Sequence, residues 1–178
     1  MSIEILLFGF MVLIMLFTVA ICIYLIFFMF APILGAPYVP TPQRLVEKII
    51  QVSELKPGET LIDLGSGDGR ILIAAAQRDA NAVGYEINPI LASWSRKKAK
   101  NAGVENKVKV LTKSFWQAKL TAADVVTVYL ISHRMATLER KLETELRPGT
   151  RVVSVSFKLP TWQPERIIEN RIYLYRKK

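Results

Sequence analysis

The hydrophobic pattern divides the chain into two unlike parts. From Ile5 to Phe30 the sequence carries no charged residue and almost nothing polar. As an α-helix this run extends about 39 Å, more than the roughly 30 Å hydrocarbon core of a bilayer. A cleaved leader would have a basic start and an apolar stretch of only about 7–15 residues. Here Glu4 is the sole charged side chain before the run. The pattern therefore predicts a permanent membrane-spanning helix, with Ala31-Pro32 and then Gly35-Ala36-Pro37 breaking it. Residues 1–36 form an anchor and linker, and residues 37–178 a separate domain.

In the second part the periodicity alternates between strand-like and helix-like. Thr41-Pro42 predicts a helix N-cap with a proline at the first helical position, and the helix runs to about Ser53. Thr60–Leu64 reads as a buried strand and Gly69–Arg78 as an alanine-rich helix. Ala82–Glu86 is a second strand, and Asn88-Pro89 opens a helix to about Asn101. Lys107–Leu111 is a third strand and Asp124–Ile131 a long fourth one, followed by a helix over residues 133–146. Arg151–Phe157 is a fifth strand. Short strands around Arg166–Ile168 and Arg171–Arg176 flank a turn at Glu169-Asn170. Strands alternating with helices predict an α/β fold with a mostly parallel sheet, closed by an antiparallel hairpin. Between Phe157 and Arg166 there is no room for a helix, which predicts one side of the sheet open, or covered by the N-terminal segment or a membrane.

Composition sharpens this picture. Hydrophobic residues make up 51% of the 178, and mean hydropathy is +0.27. That excludes a disordered or collagen-like chain, and the absence of a second long apolar run excludes a multispan transporter. All 24 Lys and Arg lie at or after Arg44, so the domain alone stands near +10. Such charge calls for an anionic neighbour, and beside a membrane segment lipid headgroups come first. It also places the domain on the cytoplasmic side of a single-pass membrane protein. One Cys (Cys22) and one His (His133) exclude a disulfide, a thiolate cluster and a multi-His metal site, so no metal is expected.

The sharpest chemical signal is Asp63-Leu64-Gly65-Ser66-Gly67-Asp68-Gly69-Arg70, a strand end, a glycine-rich turn and a helix start. Glycines let a ligand approach the backbone closely. A nucleotide P-loop spacing is absent, and Arg70 stands where a dinucleotide fingerprint would have its third glycine. The next strand ends Val83-Gly84-Tyr85-Glu86, and a carboxylate there can accept hydrogen bonds from ribose hydroxyls.

Together these motifs resemble the class I S-adenosylmethionine-dependent methyltransferases, a Rossmann-like fold with a reversed final hairpin. The resemblance covers about Thr41 to Arg176. It implies S-adenosyl-L-methionine as cofactor, held by Asp63, Gly65, Ser66, Gly67, Asp68 and Gly69, with Glu86 on the ribose and Ile87 on the adenine. Where the family often has an acid after the third strand, this chain reads Ser114-Phe115-Trp116, so Ser114 and Phe115 are implied at the adenine. The span followed by Pro37-Tyr38-Val39-Pro40-Thr41, with Tyr85-Glu86-Ile87-Asn88-Pro89 further on, is similar to the ATP synthase c-subunit and adenine nucleotide translocase lysine methyltransferases. That family is membrane-anchored and mitochondrial. The resemblance implies a membrane-protein substrate with an accessible lysine, and a domain facing the cytoplasm or the matrix.

Methyl transfer works largely by alignment, and a lysine acceptor must be neutral to react. No general base stands out. Tyr129, near the fourth strand's end, is a candidate to orient an amine, or else a core aromatic; His133 lies just beyond it. Tyr38 and Thr41 are candidates for a lid over the methyl end of the cofactor, or else an interfacial aromatic and a helix cap. An Asn-Pro-Pro-Tyr-type motif is absent, since the chain reads Tyr129-Leu130-Ile131-Ser132; nucleic acid is not expected as a partner. Methylation of a lipid or small amphiphile, and a non-catalytic cofactor-binding membrane module, stand as alternatives.

Overall fold

The computed structural model describes residues 3–34 and 39–178 except residue 131. The chain divides into two compact units, Met1–Pro37 and Tyr38–Lys178.

The first unit is one helix, α1 (Ile3–Leu34). Its stretch Ile3–Leu25 is long and apolar enough to cross a membrane, and none of it is buried inside the protein. A core helix would hide such a surface; this one presents apolar side chains on every side. Thr18 Oγ1 donates to the Ile14 carbonyl at 2.8 Å, so this hydroxyl is satisfied within the helix. The expected break at Ala31-Pro32 does not occur. A proline removes one donor, yet the helix continues to Leu34. The expected break at Gly35-Ala36-Pro37 lies outside the described residues.

The second unit has a seven-stranded sheet: β1 (Thr60–Leu64), β2 (Asn81–Tyr85), β3 (Val108–Leu111), β4 (Val125–Val128), β5 (Arg151–Val155), β6 (Arg166–Ile168) and β7 (Ile172–Arg176). Their order is β3-β2-β1-β4-β5-β7-β6. The pairs of β1 through β5 are parallel, and β7 runs antiparallel to β5 and β6. Glu169 and Asn170 both have positive φ (49° and 51°), and the Arg171 N–H closes on the Ile168 carbonyl at 3.1 Å. That is the turn geometry which matches strand twist. The expected hairpin is therefore present.

Helices α2 (Gln43–Val52), α3 (Arg70–Ala76) and α4 (Pro89–Asn101) accompany one face, and α5 (Met135–Glu145) the other. Alternation along β1 divides the core. Leu61 joins the α2–α4 side, and Ile62 and Leu64 the α5 side. The α5 side is not open beyond the helix. Leu159 and Trp162 pack there, and Tyr175 Oη accepts the Leu159 N–H at 3.0 Å. Glu139 accepts the Thr161 N–H and hydroxyl at 3.0 and 2.8 Å. A short strap thus covers what a helix covers elsewhere, which corrects the expected gap.

Two other expectations change. The α2 cap is Pro42, whose carbonyl accepts the N–H groups of Leu45 and Val46, and Thr41 is not the cap. Strand β4 ends at Val128, because its ladder lasts only as long as Leu64 and Ser154 flank it. Tyr129 therefore lies just past the strand, and a 3-10 turn over Ser132–Arg134 precedes α5.

Candidate active site

The chain order reverses between β1 and β4, and the carboxyl ends of β1, β2 and β4 align at Leu64, Tyr85 and Val128. Such a switch point opens a crevice where ligands bind in open α/β sheets.

The glycine loop stands at that crevice. Gly65, Gly67 and Gly69 have φ of 91°, 54° and 80°, values L side chains rarely adopt. The N–H groups of Gly65 and Ser66 both donate to the Tyr85 carbonyl, at 2.9 and 3.1 Å. Glu86 braces the crest of the loop. Its Oε2 accepts the Gly67 N–H at 2.9 Å and its Oε1 accepts the Asn88 N–H at 2.7 Å. Asn88 Oδ1 in turn caps α4 through Ile90 at 2.9 Å.

Among loop residues 65–69 only Gly65 is exposed, and a side chain there would meet nothing within 4 Å. The loop opens at that point. Gly69 serves a different end: an added Cβ would lie 2.0 Å from Ser95 Oγ, so this glycine lets α4 pack tightly. Ser66 and Ser95 hydroxyls are buried with no hydrogen-bond partner among the described residues. Ser66 fills the space left by the missing side chain of Gly84. The Asp68 carboxylate is buried and held by Arg70 at 2.8 Å on each oxygen and by Lys98 at 2.5 Å. Burial alone would raise its pKa, but these two cations hold it well below the usual carboxylate range. Arg70 also donates to the Thr41 carbonyl, tying the approach to α2 to the loop.

Asp63 faces its neighbour Thr127 across β1 and β4, accepting the hydroxyl proton at 2.7 Å. Burial pushes Asp63 up to about 7; the Thr127 hydrogen bond opposes this and the Glu86 charge adds to it.

Around the opening, Ile87 is exposed. Ser114 Oγ accepts the Trp116 N–H at the start of a 3-10 turn (Phe115–Gln117), and the half-buried rings of Phe115 and Trp116 lie 4.6 Å apart. Tyr129 is half-buried against the α2–α4 side of the core, and Thr41 is buried. His133 is exposed in its turn. Tyr38 lies outside the described residues. Among the described residues no cluster suits a metal ion.

An adenosyl cofactor fits this set. A carboxylate offers about four lone-pair directions, and the Glu86 backbone partners occupy two, leaving two for ribose hydroxyls. The open space at Gly65 admits the chain beside them, and Ile87 and Phe115 offer apolar faces. Sequence reasoning missed Arg70, Lys98 and Thr127 as supports of the loop. The alternation of Asp68 and Arg70 was the one local signal for that cluster.

Comparison with known proteins agrees with this geometry. Residues 63–166 match the ANTKMT methyltransferase domain family. The chain is 36% identical over 149 residues to a protein-lysine N-methyltransferase of Saccharolobus islandicus, covering 78% of this chain and 92% of that one. It is 40% identical over 129 residues to the ATP synthase c-subunit lysine N-methyltransferase of Mus musculus, covering 72% of this chain and 52% of the mouse protein. It is 40% identical over 146 residues to the mouse adenine nucleotide translocase lysine N-methyltransferase, covering 80% and 63%. This chain thus spans less than two thirds of either mouse protein. The solved structure of an RNA methyltransferase from Salinibacter ruber in complex with S-adenosyl-L-homocysteine matches with a TM-score of 0.73 and 38% identity, over 78% of this chain and 92% of that one.

Proposed function

From the premise that this chain belongs to the ANTKMT methyltransferase family and is an S-adenosylmethionine-dependent methyltransferase, we propose that it methylates the Nζ of lysine on a membrane-associated protein. The observation that carries this reading is the Glu86 brace across an open glycine loop, in a chain whose Saccharolobus islandicus and mouse relatives are named lysine N-methyltransferases. We read α1 as a single-pass anchor, with the domain on the cytoplasmic or matrix side.

The cofactor supplies an electrophilic sulfonium methyl. Glu86 would hold the ribose through its two remaining lone-pair directions, and Ile87, Ser114 and Phe115 would line the adenine. The Gly65 and Gly67 backbone would lie beside the methionine end, while Asp63, Ser66, Asp68 and Gly69 shape the loop from behind. Tyr129, Thr41 and Tyr38 are the residues proposed to line the acceptor's path. The acceptor amine must be neutral, and an unperturbed lysine has a pKa near 10.4. A dry path and a domain near +10 both favour the neutral form. Catalysis then consists mainly of holding nitrogen, methyl and sulfur in line.

A second reading, methylation of RNA, has one observation in its favour: the name of the Salinibacter ruber relative. The exposed apolar helix α1 favours a membrane acceptor instead. Incubating the purified chain with methyl-tritiated cofactor, its own membranes and total RNA separates the readings. Label in a protease-sensitive band supports the proposal; label in the RNA or the lipid extract contradicts it. Carbonate extraction tests the anchor, which predicts the chain in the pellet; recovery in the alkaline supernatant would contradict it.

A further inference from the structure

Helix α4 presents an unusual outer stripe. Ala92, Ser95 and Ala99 face the protein and are buried. At the complementary helical spacing stand Ile90, Trp94, Lys97 and Lys100, all exposed. Ile90 is 75% exposed and Trp94 52%. The helix contains no acid. Its apolar residues occupy the first half of the stripe and its lysines the second.

The charge around this helix is one-sided. Residues 87–113, covering α4 and the edge strand β3 that packs beside it, contain seven Lys and Arg and one acid. Neither Lys97 nor Lys100 forms an ion pair among the described residues. Lys98 sits 4.9 Å from the Trp94 ring centroid and reaches Asp68 in the glycine loop. It thus joins the stripe to the cofactor site.

We propose that α4 is a second membrane contact, independent of α1, which lies on an anionic bilayer surface. Ile90 and Trp94 enter the boundary between headgroups and acyl chains, and Lys97 and Lys100 pair with lipid phosphates. On one exposed stripe, Trp and aliphatic side chains favour the boundary between headgroups and acyl chains, and the lysines beside them favour anionic headgroups. Nucleic acid would use the lysines but gain nothing from a fully presented isoleucine. A second copy of the chain would bring two lysine stripes face to face. Asn88 caps α4 and Glu86 holds the Asn88 N–H. The contact therefore sets the mouth of the cofactor crevice beside the headgroups, where a lysine just outside the bilayer lies within reach. The inference rests on the domain's surface and holds whichever acceptor is methylated.

The full chain in nanodiscs tests it, because α1 is then equally satisfied in every sample. An environment-sensitive fluorophore is attached at position 90 (Ile90→Cys in a Cys22→Ser background) or, as the reference, at position 140 (Arg140→Cys) on α5 across the sheet. In discs containing phosphatidylglycerol the label at 90 should shift to the blue and be quenched by headgroup-level spin-labelled lipid, while the label at 140 should do neither. In phosphatidylcholine discs the docked state should be lost, and Lys97→Ala and Lys100→Ala should each lower the docking equilibrium constant about fivefold in anionic discs. Equal behaviour of the two labels in anionic discs would overturn the proposal. So would a label at 90 that responds to an added RNA oligonucleotide in detergent but not to lipid. As a second measurement, Trp94→Ala should lower the proximity signal of the otherwise native chain while S-adenosylhomocysteine affinity is retained; an unchanged signal would count against α4.

Discussion

Glu86 Oε2 accepts the N–H of Gly67 at 2.9 Å, joining the turn after β2 to the crest of the loop after β1. One carboxylate therefore has two duties. It shapes the loop, and it presents its remaining lone pairs to the cofactor.

Glu86→Ala removes both duties at once. A hydrogen bond to a charged group is worth about 1.5–3 kcal/mol, so S-adenosylhomocysteine affinity should fall roughly 10–150-fold. Glu86→Gln should also weaken binding, because its amide NH2 would face the N–H of Gly67 or Asn88. Calorimetry on folded protein checks both, and unchanged affinity in both would remove Glu86 from the site.

Gly69→Ala should destabilise the fold by about 1–3 kcal/mol. The φ of 80° is unfavourable for alanine and the new methyl would collide with Ser95 Oγ. In a Ser95→Gly background the same substitution should cost less, since the collision is gone while the backbone strain stays. Thermal unfolding of the four proteins gives the comparison; an equal cost in both backgrounds would show that α4 does not constrain this glycine.

Asp63 and Asp68 should push stability in opposite directions with pH. Asp63 has its folded pKa raised to about 7 by burial, so the folded chain holds a proton that the unfolded chain releases above its ordinary pKa. Stability from this group falls as pH rises through that window and levels off above about 7. Asp68 is depressed by Arg70 and Lys98, so its contribution is full above the ordinary carboxylate pKa and is lost as pH falls below it. Asp63→Asn keeps an oxygen for the Thr127 hydroxyl and cannot ionise. Its stability relative to the parent should rise between pH 5 and pH 8, by an amount on the order of a few kcal/mol. Parallel curves in denaturant titrations at the two pH values would refute this.

Tyr38→Ala should abolish turnover while leaving cofactor affinity and membrane retention nearly intact, if Tyr38 lines the acceptor's path. Arg70→Ala offers a contrast. It releases the Thr41 carbonyl and one partner of Asp68 together, so it should weaken cofactor binding as well. Full turnover of Tyr38→Ala on native membranes would leave that residue a structural or interfacial role.

Much of this fold was legible because its signals are local. The glycine turn and Glu86 follow strands whose apolar runs are unmistakable, and Glu169-Asn170 sits between two short strands as a hairpin turn must. What was not legible depends on contacts distant in sequence. Thr41 looks like a cap, but its carbonyl is taken by Arg70 and the cap position falls to Pro42. Strand β4 looks long from Asp124 to Ile131 because most of these residues are apolar, yet its pairing with β1 and β5 ends at Leu64 and Ser154. The strap over the α5 face is invisible locally, since Glu139 reaches across 22 residues to hold Thr161. Asp68 read as a cofactor ligand because of its place in the motif. The pairing of its carboxylate with Arg70 and Lys98, the latter 30 residues away, is not visible in that motif.

Placement of methyl groups on lysine nitrogen can be read out chemically. The most direct measurement is acid hydrolysis of membrane protein labelled by the purified chain with tritiated S-adenosylmethionine, followed by chromatography against methylated amino-acid standards. Label should co-elute with methyl-lysine and be lost with Glu86→Ala. Label eluting as any other methylated residue, or methyl-lysine formed equally by Glu86→Ala, would contradict it.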